Sequence, residues 1–173
     1  EFDNISVVEF LNPSLAPDKM TVWAGLTKIT DSAGSGQMIT ELSDGATNRR
    51  FNISQSTTAE LYIFSSGGDT SVKAVTNASV YAAPVTNVYT GVGDISGDIA
   101  RLRLNGSTIT TNTSDQGTGN YPNAPLFIGR RNNTSFPFNG NIYSLIIRGA
   151  QSTAAQISST ESWVAAKTPL GTL

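Results

Sequence analysis

The side chains best suited to chemistry in this sequence are aromatic and planar polar groups in its second half. They are Tyr121, Asn123, Arg130, Arg131, Asn132 and Phe136. An aromatic ring offers a flat apolar face to a pyranose ring, while amide and guanidinium groups pair with its hydroxyls. The pattern predicts a shallow sugar-binding groove at one end of the fold, bracketed by Tyr121 and Phe136.

A framework role is the competing interpretation of the two arginines. At least one of Arg130 and Arg131 then forms an internal ion pair, for example with Asp115. The two tryptophans, Trp23 and Trp163, are predicted to pack in the core or beneath a helix.

Composition excludes several classes of function. The 173 residues include no cysteine and no histidine, which rules out disulfides, thiolate metal sites and a Ser-His-Asp triad. The 11 Lys and Arg residues and a net charge of −2 are a poor match to nucleic acid. The aliphatic runs are too short to span a bilayer. Ser, Thr and Asn together supply 55 residues, so the surface is predicted to be rich in hydroxyls and amides.

Short β-strands dominate the pattern. Glycine, asparagine, aspartate and serine clusters recur about every 8–15 residues, as in an all-β sandwich. Asn105-Gly106 lies between alternating segments and predicts a hairpin. We expect one domain over residues 1–173, with antiparallel strands in two sheets. The apolar segment Ile5–Leu11 is predicted to be an ordinary first strand, or else a strand that pairs with a neighbouring copy.

One helix is predicted near the C-terminus. Thr153 with Gln156, and Ser158 with Glu161, both have capping-box spacing. Ile157, Trp163 and Val164 are predicted to form the apolar stripe of this helix. Pro169 is predicted to end it. The helix is expected to cover one face or edge of the sandwich.

The segment of residues 124–150 resembles the end of a laminin G-like, concanavalin A-like jelly-roll domain. Its features are an apolar strand ending in Gly129, a variable loop, the turn Phe138-Asn139-Gly140, and a second apolar strand. The hairpin of residues 102–106 precedes it, as in that family. Extracellular laminin G domains usually carry a cysteine where this chain has Asn141. Residues 115–131 and 152–170 are similar to versions found in bacteriophage and prophage structural proteins.

The resemblance also implies where catalytic acids would lie. Glycosidases of the superfamily carry alternating acidic residues on one strand, and no Glu-x-Asp-x-Glu run is present. Asp94 and Asp98 come closest, but four residues of extended strand would separate them by about 13 Å. Retention requires carboxyl groups about 5–5.5 Å apart. The chain is therefore predicted not to be an enzyme.

Calcium is the one cofactor that remains open, and otherwise no cofactor is expected. Some family members bind Ca²⁺ through loop oxygens, and the candidates here are Asp69, Asp94, Asp98, Asp115 and Asn120. The same residue types are also common in turns without a metal.

Three functional hypotheses follow. The first is a non-catalytic carbohydrate-binding or host-adhesion module of a phage-type virion protein, in the virion or outside the cell, with a cell-surface polysaccharide as its partner. The second is a capsid-decoration or tail-assembly domain that contacts other virion proteins, with homo-oligomerisation possible. The third and weakest is a glycoside hydrolase. Because residue 1 is not methionine, we expect a processed product or a domain of a longer chain.

Overall fold

Ten strands and one helix make up the part of the chain that the computed structural model describes, namely residues 16–31, 35–43, 49–55, 61–67, 71–75, 82–131 and 135–170. The strands are β1 (Lys19–Lys28), β2 (Gln37–Ser43), β3 (Arg49–Gln55), β4 (Leu61–Ser66), β5 (Ser71–Val75), β6 (Val85–Asp94), β7 (Ile99–Leu104), β8 (Ser107–Asn112), β9 (Leu126–Ile128) and β10 (Gly140–Arg148). The helix, α1, spans Ala154–Ala166.

The strands form two antiparallel five-stranded sheets. Sheet A has the order β10-β1-β6-β7-β8, and sheet B has the order β5-β4-β3-β2-β9. Every neighbouring pair is antiparallel. The predicted two-sheet antiparallel sandwich with a C-terminal helix is confirmed.

Alternating side chains close the core between the sheets. Leu26 and Leu102 from sheet A meet Phe51, Ile53 and Ile63 from sheet B, and each is at most 1% exposed. Because side chains on a strand alternate between faces, the residues between these point to the outer faces of the sheets. Asn52, between Phe51 and Ile53 on β3, therefore lies on the outer face of sheet B.

The hairpin at Asn105-Gly106 forms as predicted. Asn105 has φ 46° and Gly106 has φ 81°, the left-handed conformations that a two-residue turn of this kind requires. The Asn105 side chain accepts a hydrogen bond from the backbone N–H of Val88 at 2.8 Å. The turn is thereby fastened to β6.

Helix α1 covers the outer face of sheet A. Thr153 and Gln156 form a reciprocal capping box, which places the start of the helix at the first of the two predicted signals. Ile157 and Val164 pack against Trp23, confirming that this tryptophan is buried beneath the helix. The prediction for Trp163 is wrong. Its side chain is 52% exposed, because helix rotation turns this position away from the sheet.

Close contact holds the helix to the sheet at two points. A Cβ added to Gly25 on β1 would lie 2.0 Å from the Thr168 hydroxyl, so only glycine allows this approach. Arg103 on β7 donates from Nε and Nη2 to the carboxylate of buried Glu161 at 2.6 and 2.8 Å. No helix among the described residues is long and apolar enough to cross a membrane. The segment Ile5–Leu11 lies outside the described residues.

Candidate functional site

Tyr121 belongs to the framework of the sandwich. Its ring makes an edge contact with Phe51 at 5.9 Å between centroids, and its hydroxyl is 2.5 Å from the Ser65 hydroxyl. Only 8% of the residue is exposed, and burial raises the pKa of its hydroxyl far above the usual range. The face of this ring is therefore not offered to a ligand from solvent.

Phe136 lies at the opposite end of the sandwich. Its carbonyl accepts a hydrogen bond from the backbone N–H of Met38, near the start of β2. The start of β2 pairs with the end of β3, where Gln37 lies opposite Gln55. Tyr121 instead contacts Phe51, four residues earlier on β3. Four residues of strand span about 13 Å. The predicted groove bracketed by these two aromatic rings is therefore wrong.

The remaining predicted residues divide between these two ends. Asn123 is exposed near the Tyr121 end, next to the segment in which the Pro125 carbonyl accepts from Ser43. Arg130 is exposed beside Arg131 at the Phe136 end. Asn132 lies outside the described residues.

Arg131 forms the ion pair that the framework interpretation predicted, but with a different partner. Its Nε donates to both oxygens of Glu41 at 3.1 and 2.9 Å, and its Nη2 donates to Oε2 at 2.8 Å. Asp115, the suggested partner, instead accepts from the backbone N–H of Gly117 at 2.7 Å. The Phe136 ring centroid lies 4.6 Å from the guanidinium carbon, within cation–π range.

Backbone contacts on either side of residues 132–134 bring these groups together. Arg131 and Ser135 exchange backbone hydrogen bonds, with N···O distances of 2.8 and 3.2 Å. Phe136 has φ 53°, and Gly129 at the other end of the loop has φ 72°. The left-handed conformation is unfavourable for a bulky residue, so the guanidinium–ring contact is held by a strained backbone.

The outer face of sheet B continues this arrangement. Glu41 on β2 pairs in register with Asn52 on β3, and both side chains are fully buried on that face. Asn52 Oδ1 accepts from the Ser54 hydroxyl at 2.8 Å, while its Nδ2 has no hydrogen-bond partner among the residues that the structure describes. Arg131, Glu41, Phe136 and Asn52 are called the Arg131 cluster below.

The Arg131 cluster has no net charge, because Glu41 neutralises Arg131. Glu41 occupies Nε and Nη2 of the guanidinium, and within the described part of the chain Nη1 donates to no partner. The Arg131 side chain keeps 11% of its surface exposed. A guanidinium held in one orientation on an aromatic ring presents planar donors suited to hydroxyl pairs or a carboxylate.

Glu41 and Asn52 were not predicted as site residues. The alternating pattern of the two predicted strands does place them on one face. Their pairing, however, depends on sheet register, and the loop that supplies Arg131 lies 90 residues away in sequence.

The loop acids mostly serve turns and local ion pairs. Asp94 accepts from Lys19 Nζ at 2.5 Å and from the backbone N–H of Gly97 at 2.8 Å. Asp98 has φ 53° and accepts from the backbone N–H of Gln116 at 2.9 Å. Among the described residues no group of three acidic side chains could hold a metal ion. The remaining calcium candidates are Asn120, exposed in its loop, and Asp69, outside the described residues.

Comparison with known proteins relates the chain to lectin-like sandwiches. The family model described as the concanavalin A-like lectin/glucanases superfamily matches residues 4–158. No curated protein sequence matches the chain significantly.

Solved structures with similar folds include carbohydrate-binding proteins. The CBM40 of Ruminococcus gnavus IT-sialidase, solved bound to alpha2,3 sialyllactose, is 15% identical, with a TM-score of 0.64 and 84% of each chain covered. NanB sialidase from Streptococcus pneumoniae is 17% identical with a TM-score of 0.65, over 84% of this chain and 24% of its own. A heptameric pentraxin from Limulus polyphemus is 12% identical with a TM-score of 0.65, over 86% and 71% of the two chains. At these identities the likeness concerns the fold.

Proposed function

The chain belongs to the concanavalin A-like lectin/glucanases superfamily, and from this premise we propose that it is a non-catalytic carbohydrate-binding domain. The observation that carries the proposal is the Arg131 cluster. It supplies a pre-oriented guanidinium and an aromatic ring, and the exposed Arg130 lies next to it in sequence. We assign the ligand contacts to Arg130, Arg131 and Phe136.

Pre-orientation is the physical basis of the binding. Glu41 holds Arg131 through three N···O contacts of 2.8–3.1 Å, so little side-chain entropy remains to be lost when a ligand binds. The guanidinium donors left over suit acceptor-rich groups such as vicinal hydroxyls or a sugar carboxylate. Because a similarly folded module was solved with alpha2,3 sialyllactose, that trisaccharide is the first probe to use.

The non-catalytic assignment is supported by the acids of the described residues. Asp18 and Asp94 lie close enough to share Lys19, at 3.4 and 2.5 Å from its Nζ. The hydrogen bond from Ser96 and the charge of Lys19 hold the pKa of Asp18 below its usual range. A general acid for glycoside hydrolysis needs a raised pKa instead.

Host adhesion by a virion protein is the setting we propose for this binding, in the virion or at a cell surface. Its support is the resemblance of residues 115–131 and 152–170 to phage structural proteins. Binding of the purified chain to whole cells is compared with its binding to strains that lack surface polysaccharide. This comparison tests the proposed host adhesion separately from the proposed ligand contacts.

Calorimetric titration with alpha2,3 sialyllactose and a panel of bacterial polysaccharides tests the binding itself. Arg130→Ala removes an exposed side chain of the proposed site, and we expect it to weaken binding about tenfold, the value of one charged hydrogen bond. Lys167→Ala, which removes an exposed cation at the C-terminal end of helix α1, is the control and is expected to bind like the unaltered chain. Equal loss in both variants, or no binding to any glycan, contradicts the proposal.

Assembly through protein contacts is a second candidate, favoured by one observation. Edge strand β9 exposes Leu126 and Ile128 by 42% and 53%, which is unusual for large aliphatic side chains on a strand. Pairing of β9 with β9 of a second copy would cover both. Sedimentation of the full chain beside Leu126→Ser tests this: a dimer that the substitution dissociates supports it, and a monomer at all concentrations refutes it.

A further inference from the structure

A small recess lies on the outer face of sheet A, on the far side of the sandwich from the Arg131 cluster. It has a volume of about 90 Å³ and lies between strands β1, β6 and β7 and the start of helix α1. At about 30 Å³ per water molecule, this is room for a substituent of three or four heavy atoms rather than a whole sugar ring. We call it the sheet A recess.

The lining of the sheet A recess is half apolar and half polar. Val92, Ala150 and Ile157 supply the apolar side, and Thr21, Arg101 and Ser152 supply polar groups. Gln151, also in the lining, is exposed, so a ligand can reach the recess from solvent. Such a lining suits a small group with both a methyl and an amide-like part.

Two polar groups in this lining have unused hydrogen-bonding capacity. The Ser152 hydroxyl is buried and has no partner among the described residues. Arg101 donates from Nε to the Thr111 hydroxyl at 3.3 Å, and within the same part of the chain its two terminal nitrogens donate to no partner. Buried polar atoms are nearly always hydrogen-bonded, so an unpaired one beside a cavity points to a missing partner.

Charge around the recess argues against an anion. Lys19, which also lines it, is neutralised by Asp94 at 2.5 Å and lies 3.4 Å from Asp18. The two carboxylates and the two cations, Lys19 and Arg101, cancel. With no surplus positive charge, a carboxylate or phosphate gains little there and would face Asp94.

We propose that the sheet A recess binds the acetamido group of an N-acetylhexosamine. The acetamido carbonyl accepts from Arg101, its N–H pairs with the hydroxyl of Ser152, and its methyl packs against Val92 and Ile157. The sugar ring stays outside, next to Gln151. The inference shares the carbohydrate class with the proposed function but uses a separate site, so the chain would engage a glycan on both outer faces.

The residues around the sheet A recess are held in place by the helix cap and by packing. Residues 150–152 lead directly into the capped start of helix α1, where Thr153 Oγ1 accepts from the backbone N–H of Gln156 at 3.2 Å. Ala150 is only 3% exposed and Thr21 only 1%, so strand and loop are packed on both sides of the recess.

Titration of the ¹⁵N-labelled full chain by NMR tests the proposal, with N-acetylglucosamine, glucose and acetate as three separate probes. We expect N-acetylglucosamine to shift the backbone signals of Gln151 and Ser152, and glucose and acetate to leave them in place. Arg101→Gln is expected to weaken binding about tenfold, as for loss of one hydrogen bond to a charged donor. Lys167→Gln, at the exposed C-terminal end of helix α1, is the control and is expected to change nothing at these signals. Arg130→Gln is measured beside it to separate this site from the Arg131 cluster.

Each of the other outcomes contradicts the proposal, and each identifies a different reason. Equal shifts with glucose mean that no acetamido group is recognised, and shifts with acetate mean an anion site. Signals that respond to Arg130→Gln but not to Arg101→Gln place the ligand at the Arg131 cluster, which preserves the proposed function and refutes this inference. If Arg101→Gln fails to fold, Ser152→Ala decides, because undiminished binding in that variant refutes the proposed contact.

Discussion

Replacing Arg131 by methionine should destabilise the chain far more than an arginine substitution at a surface does. Glu41 has 0% exposure and Arg131 is its ion-pair partner at 2.8 Å. Arg131→Met keeps most of the aliphatic stem and leaves a buried carboxylate without its counter-ion. Breaking a buried pair in this way costs about 3–5 kcal/mol. For a domain of this length that is a fall in Tm of about 6–20 °C.

Urea unfolding followed by tryptophan fluorescence measures this cost, with Arg130→Met as the matched control. Arg130 is the adjacent arginine but is exposed, so its loss should cost less than about 1 kcal/mol. The double variant Glu41→Leu/Arg131→Met removes both charges together. It should recover most of the lost stability, because an apolar pair of similar volume is often as stable as a buried ion pair.

Two results would refute this reasoning. If Arg131→Met costs no more than Arg130→Met, the guanidinium does not hold the loop onto sheet B. If the double variant is as unstable as the single one, the loss comes from packing against Phe136 at 4.6 Å and not from the unpaired charge.

Three further predictions concern the framework. Gly25→Ala should loosen helix α1, because the new Cβ would lie 2.0 Å from the Thr168 hydroxyl; faster amide exchange throughout the helix, with unchanged exchange in sheet B, is the expected readout. Thr153→Ala should cost about 1 kcal/mol through loss of the helix cap, measured by urea unfolding, whereas Thr153→Ser should cost a few tenths at most. Ser96→Ala should destabilise the chain at neutral pH, because the Ser96 hydroxyl helps to hold the pKa of Asp18 below its ordinary 3.8. That difference should be complete above pH 3.8 and disappear as the pH falls through the lowered pKa of Asp18, so a difference independent of pH contradicts it.

Local patterns in the sequence predicted the architecture well. The turn at Asn105-Gly106 and the capping pair Thr153 and Gln156 are local signals, because all the residues that determine each feature lie within four positions. The exposed side chain of Trp163 shows a feature that local signals do not predict. An apolar residue at helical spacing indicates burial, but which side of a helix meets the sheet depends on contacts such as Arg103 with Glu161, 58 residues apart.

The candidate site was predicted less well than the fold. Tyr121 and Phe136 are 15 positions apart in the sequence, but β9 and its flanking loops carry the chain from one end of the sandwich to the other between them. Arg131 and Phe136 were both selected by residue type, and the structure places the guanidinium over the ring. Identifying Glu41 requires the pairing of β2 with β9 in the right register, and register is a property of the assembled sheet.

The framework and binding interpretations of Arg131 are compatible. Stability alone does not require an arginine there, since an apolar pair could hold the loop against sheet B about as well. An apolar pair would lack the guanidinium donors that Glu41 leaves unused. The double variant Glu41→Leu/Arg131→Met separates these contributions, because it keeps the loop in place and removes the donors. A folded double variant that no longer binds glycan assigns ligand contact to Arg131 in addition to its structural role. A folded double variant that binds glycan undiminished leaves Arg131 with the structural role alone.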